Sequence, residues 1–152
     1  MAKKSKASGS AKVLIPIGEP VSRKLITQAL HVLSAFRKPL IVLFHVVEVP
    51  SRTAALDPEP YRNEIQQAEE KLNDLAKWLR SQSLTVRVKV VVARNVAEGI
   101  VDETERDGYF IVFLMKRRFK RGWKQMFTRS VSGRVVRYAN CLVLTAPLEQ
   151  LG

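Results

Sequence analysis

Five short runs rich in branched and aromatic residues punctuate this chain: KVLIPI (12–17), LIVLFHVV (40–47), LTVRVKVVVA (84–93), YFIVFLM (109–115) and CLVLTA (141–146). Between them the apolar positions switch to helical spacing. Val21, Leu25, Ile26, Ala29, Leu30, Leu33 and Phe36 form one stripe within 21–37. Ile65, Ala68, Leu72, Leu75, Ala76 and Leu79 form another within 61–82, with Glu64, Glu69, Glu70 and Asp74 on the wet face. Residues 96–108, closed by Gly108 at the C′ position, and 130–139 read as two more helices. Parallel strands need crossover helices, and those helices bury both sides of the sheet. The alternation therefore predicts an α/β fold, a three-layer, doubly wound sheet of five parallel strands; if their order is 3-2-1-4-5, the first and fourth strands are the neighbours at the switch point. The third run begins by alternating apolar residues with Arg87 and Lys89, as an edge or half-exposed strand does. In such a sheet the ligand belongs at the carboxyl ends of the strands where the order reverses, here the first and fourth.

With 152 residues the chain suits one domain. Residues 1–11 read as a flexible basic tail and 12–148 as the domain, with a basic, insertion-like segment at 116–128. EVPSRTAALDPEP (48–60), with three prolines, reads as a loop. The start of the chain lacks the apolar stretch of a secretory leader, and no run reaches the roughly eighteen apolar residues of a membrane span. The single cysteine, Cys141, excludes an internal disulfide and suits a reducing compartment. The expectation is a cytoplasmic chain without a transmembrane segment.

The net charge of +12 is concentrated. Lys3, Lys4, Lys6 and Lys12 belong to the N-terminal stretch, and nine bases fall between Lys116 and Arg137 with no acid among them. The other thirteen Lys and Arg face all fourteen acids, a net of −1. Such a local excess attracts anions. Within it, Phe119, Trp123, Met126 and Phe127 fall on one helical face, with bases opposite. Three readings stand: a short helix docking its aromatics, a segment that meets an acidic lipid surface, or one that stacks on single-stranded nucleic acid.

Catalytic patterns are missing: there is no G-x-S-x-G, no G-x-x-x-x-G-K-[ST] and no G-x-G-x-x-G. We therefore expect no catalytic residues and no metal. His45, His31, Trp78 and Cys141 are expected to pack rather than ligate or react. Glu98, Asp102, Glu103, Glu105 and Asp107 crowd one helix and are expected to form a solvated face.

The order and spacing of four stretches resemble the universal stress protein family: KVLIPIGEPVSRKLITQAL, IVLFHVVEVP, ARNVAEGIVDETERDGYFIVFLM and SVSGRVVRYANCLVLTA, together about residues 12–147. The resemblance implies the adenine nucleotide alpha hydrolase-like fold. The nucleotide-binding branch carries G-x-x-G, nine residues, then G-S after its fourth strand. Anchored on Ser130-Val131, this chain has Lys116, Phe119 and Arg129 at the glycine positions. It also has Gly18 where that branch carries an aspartate for the nucleoside. A Cβ at each former glycine crowds a backbone phosphate cradle. The resemblance thus implies a divergent, non-enzymatic stress-response or regulatory protein that has lost family-type ATP binding and has no cofactor.

The family often dimerises through its last strand, here Leu142, Val143, Leu144, Thr145 and Ala146, so a homodimer is expected. Two alternatives stay open. ATP, AMP or another phosphate ligand could enter a crevice of Pro16, Ile17, Gly18, Met115, Lys116, Arg129, Ser130 and Val131; Ser130 at a helix N-terminus suits an anion. Or a basic patch of Arg117, Arg118, Phe119, Lys120, Arg121, Trp123 and Lys124, within 116–137 and aided by the tail, could bind nucleic acid, an anionic membrane or an acidic protein.

Overall fold

A computed structural model describes residues 10–18, 23–49, 57–116 and 131–147. Five strands form one sheet: β1 (Lys12–Pro16), β2 (Leu40–Glu48), β3 (Thr85–Ala93), β4 (Ile111–Lys116) and β5 (Leu142–Pro147). They alternate with four helices: α1 (Arg23–Leu33), α2 (Arg62–Arg80), α3 (Val96–Arg106) and α4 (Val131–Tyr138). A single 3-10 turn, Glu59–Tyr61, leads into α2. Every pairing is parallel, and the order is β3-β2-β1-β4-β5. This is the architecture that the alternation predicts.

The pleat divides the core into two layers. Val13, Ile15, Ile41, Leu43, Ile111 and Phe113 face α1 and α2, where they meet Ile26, Ala29, Leu33, Leu72, Leu75 and Leu79. Leu14, Val42, Phe44, Val46, Val112 and Leu114 face α3 and α4, where they meet Ala97, Ile100 and Val135. Successive residues thus go to opposite faces, the period-2 rule behind uninterrupted apolar strands. At this packing α3 comes close to the sheet. A Cβ on its Gly99 would stand 2.7 Å from Val46 Cγ2 and 3.3 Å from Ala93 Cβ.

The element ends differ from the sequence expectation for local reasons. The first helix was expected to reach residue 37 but gives way at Leu33. Ser34 Oγ donates to His31 O at 2.7 Å, and Lys38 takes a left-handed φ of 49° just before Pro39, which disfavours helix at the residue it follows. Phe36 turns instead to meet Phe110 edge to face, centroids 5.5 Å apart. Gly108 does follow the end of α3, yet without a left-handed φ. Asp107, in extended backbone, closes the helix by donating its N–H to Glu103 O. Its carboxylate accepts the Gly108 N–H at 3.0 Å. Tyr109 and Phe110, expected in the fourth strand, precede it.

Candidate functional site

The ladders around β1 differ on its two sides. Parallel pairing makes alternate residues bond left and right. Ile17 N–H donates to Phe44 O at 2.7 Å, and Ala11 O accepts from Leu40, so odd residues address β2. Lys12 O accepts from Phe110 N–H, so even residues address β4. Pro16 is even and has no N–H to offer. The β1–β2 ladder accordingly runs to Pro16, while the β1–β4 ladder covers Val13 and Leu14 only. Beyond Leu14 the ladder between the two central strands stops, at the point where the strand order reverses.

Ile17 and Gly18 follow directly after this point. The Ile17 carbonyl is satisfied by a side chain: His45 Nδ1 stands 2.7 Å from it. A carbonyl only accepts, so the ring proton sits on Nδ1 and Nε2 is left to its surroundings. His45 is thus half-buried and tied, as the packing reading expected, but its particular bond to β1 carries no signal in sequence. Gly18 is exposed, and a Cβ there would meet nothing within 4 Å. Its lack of a carboxylate is a matter of chemistry, not of space. Met115 and Lys116 end β4 at the same end of the sheet, level with Ala146 and Pro147 of β5. Val131 opens α4 and is partly exposed. Arg129, Ser130 and the patch from Arg117 to Lys124 lie outside the described residues.

The neighbouring N-terminus of α3 is already occupied by protein oxygens. Asn95 Oδ1 accepts from Glu98 N–H at 2.8 Å, and Glu48 Oε2 reaches from β2 to accept from Val96 N–H at 3.0 Å. Glu48 therefore serves as a second cap of α3. Among the described residues no group of three or more His, Cys, Asp or Glu could hold a metal, and no helix is long and apolar enough to cross a membrane.

The two sheet edges are unlike. β3 carries Arg87, exposed, and Lys89, which pairs with Glu103. β5 carries no charge along Leu142–Pro147. Leu142 is 59% exposed, while Val143 and Leu144 pack into opposite core layers. Cys141 also packs, and burial pushes its thiol above the ordinary value.

One expectation is overturned. Glu103 is not on a solvated face but fully buried. Tyr109 Oη donates to its Oε2 at 2.7 Å, Lys89 Nζ lies 2.9 Å from Oε1, and Arg106 Nη1 lies 3.5 Å from Oε1. Burial first, then the bond to Glu103, pushes the Tyr109 phenol far above its usual range. The sequence contains the only available hint: Glu103 sits three residues after Ile100 and six before Tyr109, on the buried stripe.

The tail and the basic segment join the fold at opposite ends. Ser10 bonds to Lys38 O at the start of the sheet, whereas Lys116 is level with the last residue of β5.

A sequence model of the Universal stress protein family matches residues 10–147. No curated protein matches the chain. Among solved structures it is similar to a universal stress family protein from Burkholderia pseudomallei, at 18% identity and TM-score 0.62, covering 90% of this chain and 96% of that one. It is also similar to an Arabidopsis thaliana family protein with AMP bound, at 17% identity and TM-score 0.59, covering 90% and 91%. A third is a universal stress protein in complex with cAMP, at 14% identity and TM-score 0.62, covering 91% and 98%. At these identities the likeness is one of fold.

Proposed function

The chain belongs to the universal stress protein family, and from that premise we propose that it is a non-enzymatic, dimeric member with a stress-response or regulatory role that works by association rather than by family-type ATP binding. The observation that carries this reading is the contrast between the two edges of the sheet. An exposed apolar strand edge invites pairing, and charged side chains guard against it. β3 has Arg87 and Lys89; β5 has none, and opens on an exposed Leu142. Pairing β5 with β5 of a second copy would satisfy the open backbone groups and cover Leu142.

The missing glycines at Lys116, Phe119 and Arg129 support the loss of the phosphate cradle, and Gly18 supports the loss of the nucleoside carboxylate. Light scattering after size exclusion tests the dimer at micromolar concentration. The wild type should run as a dimer and Leu142→Arg as a folded monomer; a monomeric wild type overturns the reading.

A second reading is favoured by the early end of the β1–β4 ladder at Leu14, at the switch point of the strand order. Two structural neighbours hold AMP or cAMP. Lys116, Arg129 and Ser130 would then supply side-chain and helix-terminal contacts to a phosphate. Purification at high salt, denaturation and chromatography of the supernatant for nucleotide, with a thermal shift in millimolar ATP, separates the two. Near-stoichiometric nucleotide, or a shift that Ser130→Ala and Arg129→Ala reduce, establishes the second reading.

A further inference from the structure

A strand edge alone is too small to hold two copies together. Leu142–Pro147 spans about 20 Å, and packed sheets lie about 10 Å apart, so the β5 edge offers on the order of 200 Å². A stable interface takes about 800 Å² from each partner. The remainder has to come from what flanks the edge on the two faces of the sheet.

On one face the flank is α4. It lies beside α3, and both helices run against the strands, so equal steps around each point the same way across the sheet. On α3, Glu103, three residues after the buried Ile100, reaches Lys89 of β3. Thr104, four after, leans the other way, its Oγ1 accepting from Asn140 N–H at 3.4 Å. On α4 the buried residue is Val135. Tyr138, three after it, therefore leans toward α3, while Val136 and Ala139, one and four after it, lean out beyond β5. Ser132, three before Val135, shares that outer flank. Val136 is 57% exposed, and none of these outer residues is charged. Arg134 stands on the side of α3, where Asp102 and Glu105 are exposed, and Arg137 points away from the sheet.

On the other face the flank is α1. Arg23 lies over the Trp78 ring of α2, 5.3 Å from its centre, which marks the side of α1 that faces α2. Val32 comes nine residues later, two and a half turns, on the opposite side, and is 38% exposed. Beyond it Phe36 meets Phe110, which is 49% exposed and directly precedes Ile111, the register partner of Leu142. Arg37 and Lys38 are exposed just after Phe36. A two-fold axis sets the start of one β5 against the end of the other. It keeps these bases about 20 Å from their counterparts, twice the screening length at about 0.1 M salt.

We propose that a second copy packs on α4 and α1 as well as on β5, covering Ser132, Val136 and Ala139 on one face of the sheet and Val32, Phe110 and Leu142 on the other. This packing rests on the β5 pairing proposed above and supplies the area that the strand edge lacks. A chain of net charge +12 can meet itself only where its bases are absent, and these six side chains include none. A foreign acidic partner fits less well, because it would be drawn to Arg134 and Arg137 on the other sides of α4.

Sedimentation velocity over a micromolar dilution series tests it on the full chain, with Leu142→Arg, Val136→Arg, Val32→Arg and Tyr138→Arg each checked for folding by circular dichroism. The wild type should be a dimer. Val136→Arg and Val32→Arg should each weaken it more than about tenfold, because an unpaired charge is costly to bury. Tyr138→Arg should stay within about twofold of the wild type, since Tyr138 is as exposed, at 60%, but leans toward α3. Val136→Ser and Val32→Ser should weaken the dimer in the same direction, and they decide the matter if an arginine variant misfolds. If Leu142→Arg is monomeric while either valine variant dimerises as tightly as the wild type, the packing is overturned and the strand pairing stands. A Tyr138→Arg as weak as Val136→Arg also overturns it, by showing that added charge anywhere suffices. A monomeric wild type overturns both readings and leaves the strip to a foreign partner.

Discussion

A methyl group at position 99 has nowhere to go. It would stand 2.7 Å from Val46 Cγ2 and 3.2 Å from Val46 Cγ1, and Val46 is buried with a β-branched side chain that is stiff about χ1. Gly99→Ala gains about 1 kcal/mol of helix propensity but incurs the roughly 1–3 kcal/mol typical of overpacking, so the variant should be less stable by about 1 kcal/mol. Gly108→Ala is the control, because its Cβ would meet nothing within 4 Å and its φ is not left-handed. Thermal melts should show the first lowered by a few degrees and the second unchanged or raised; equal melting temperatures would show that α3 can slide off the sheet without cost. Glu103 poses the electrostatic version of the question. Glu103→Gln leaves Lys89 and Arg106 without their carboxylate, and urea unfolding should show a loss of about 2–4 kcal/mol. Lys89 keeps partial access to water, so the loss should lie toward the lower end. Lys89→Met/Glu103→Leu/Tyr109→Phe, which also removes the hydroxyl that donates to Glu103, should recover most of it, and failure to recover would mean that the cluster stabilises beyond its own charges. Neither residue was legible in sequence for its role: Glu103 is one of five acids on a helix, and only the placement of β3 and β4 on either side singles it out.

At the scale of elements, the strands were legible and the helix ends were not. Strands announce themselves because each apolar run must be buried on both faces, a requirement that no neighbour relaxes. Ends are settled by single bonds made after packing, such as Ser34 to His31 and Asp107 to Gly108, and by a left-handed Lys38 that no local pattern marks. The Lys12–Asp107 pair is such a device. It joins the start of β1 to the end of α3, and the Lys12 ammonium also lies 4.9 Å from the centre of the Tyr109 ring. The hydrogen bond from Lys12 holds the Asp107 carboxyl below its usual value of 3.8. A carboxylate with a lowered folded pKa contributes stability that is present above 3.8 and is lost as the pH falls through the lowered value. Melting curves from neutral to acid pH should therefore separate the wild type from Asp107→Asn at neutrality and converge in acid. A gap that persists unchanged at the lowest pH would mean that Asp107 acts through its Gly108 bond alone. The Asp107 carboxylate is about half exposed, so the gap should be small.

For the whole molecule, the topology was readable because alternation leaves few ways to cover a parallel sheet, and the strand order is what sets the ends of β1 and β4 side by side. The concentration of charge was readable as well, because the nine bases between Lys116 and Arg137 have no acid among them. The consequence is measurable in bulk. A chain of net charge +12 repels itself, and at about 0.1 M salt that repulsion is screened beyond about 10 Å. Salt also weakens exposed pairs such as Arg62–Glu59, but such pairs are worth at most about 1 kcal/mol each, and the buried Glu103 is shielded from the screening. The long-range term should win. The melting temperature should rise as sodium chloride is raised from the lowest practical concentration and level off once the Debye length falls below the spacing between basic residues. A melting temperature that falls steadily with salt would show that attractive pairs outweigh the excess charge, and that the bases at both ends sit in a field already balanced by the fold.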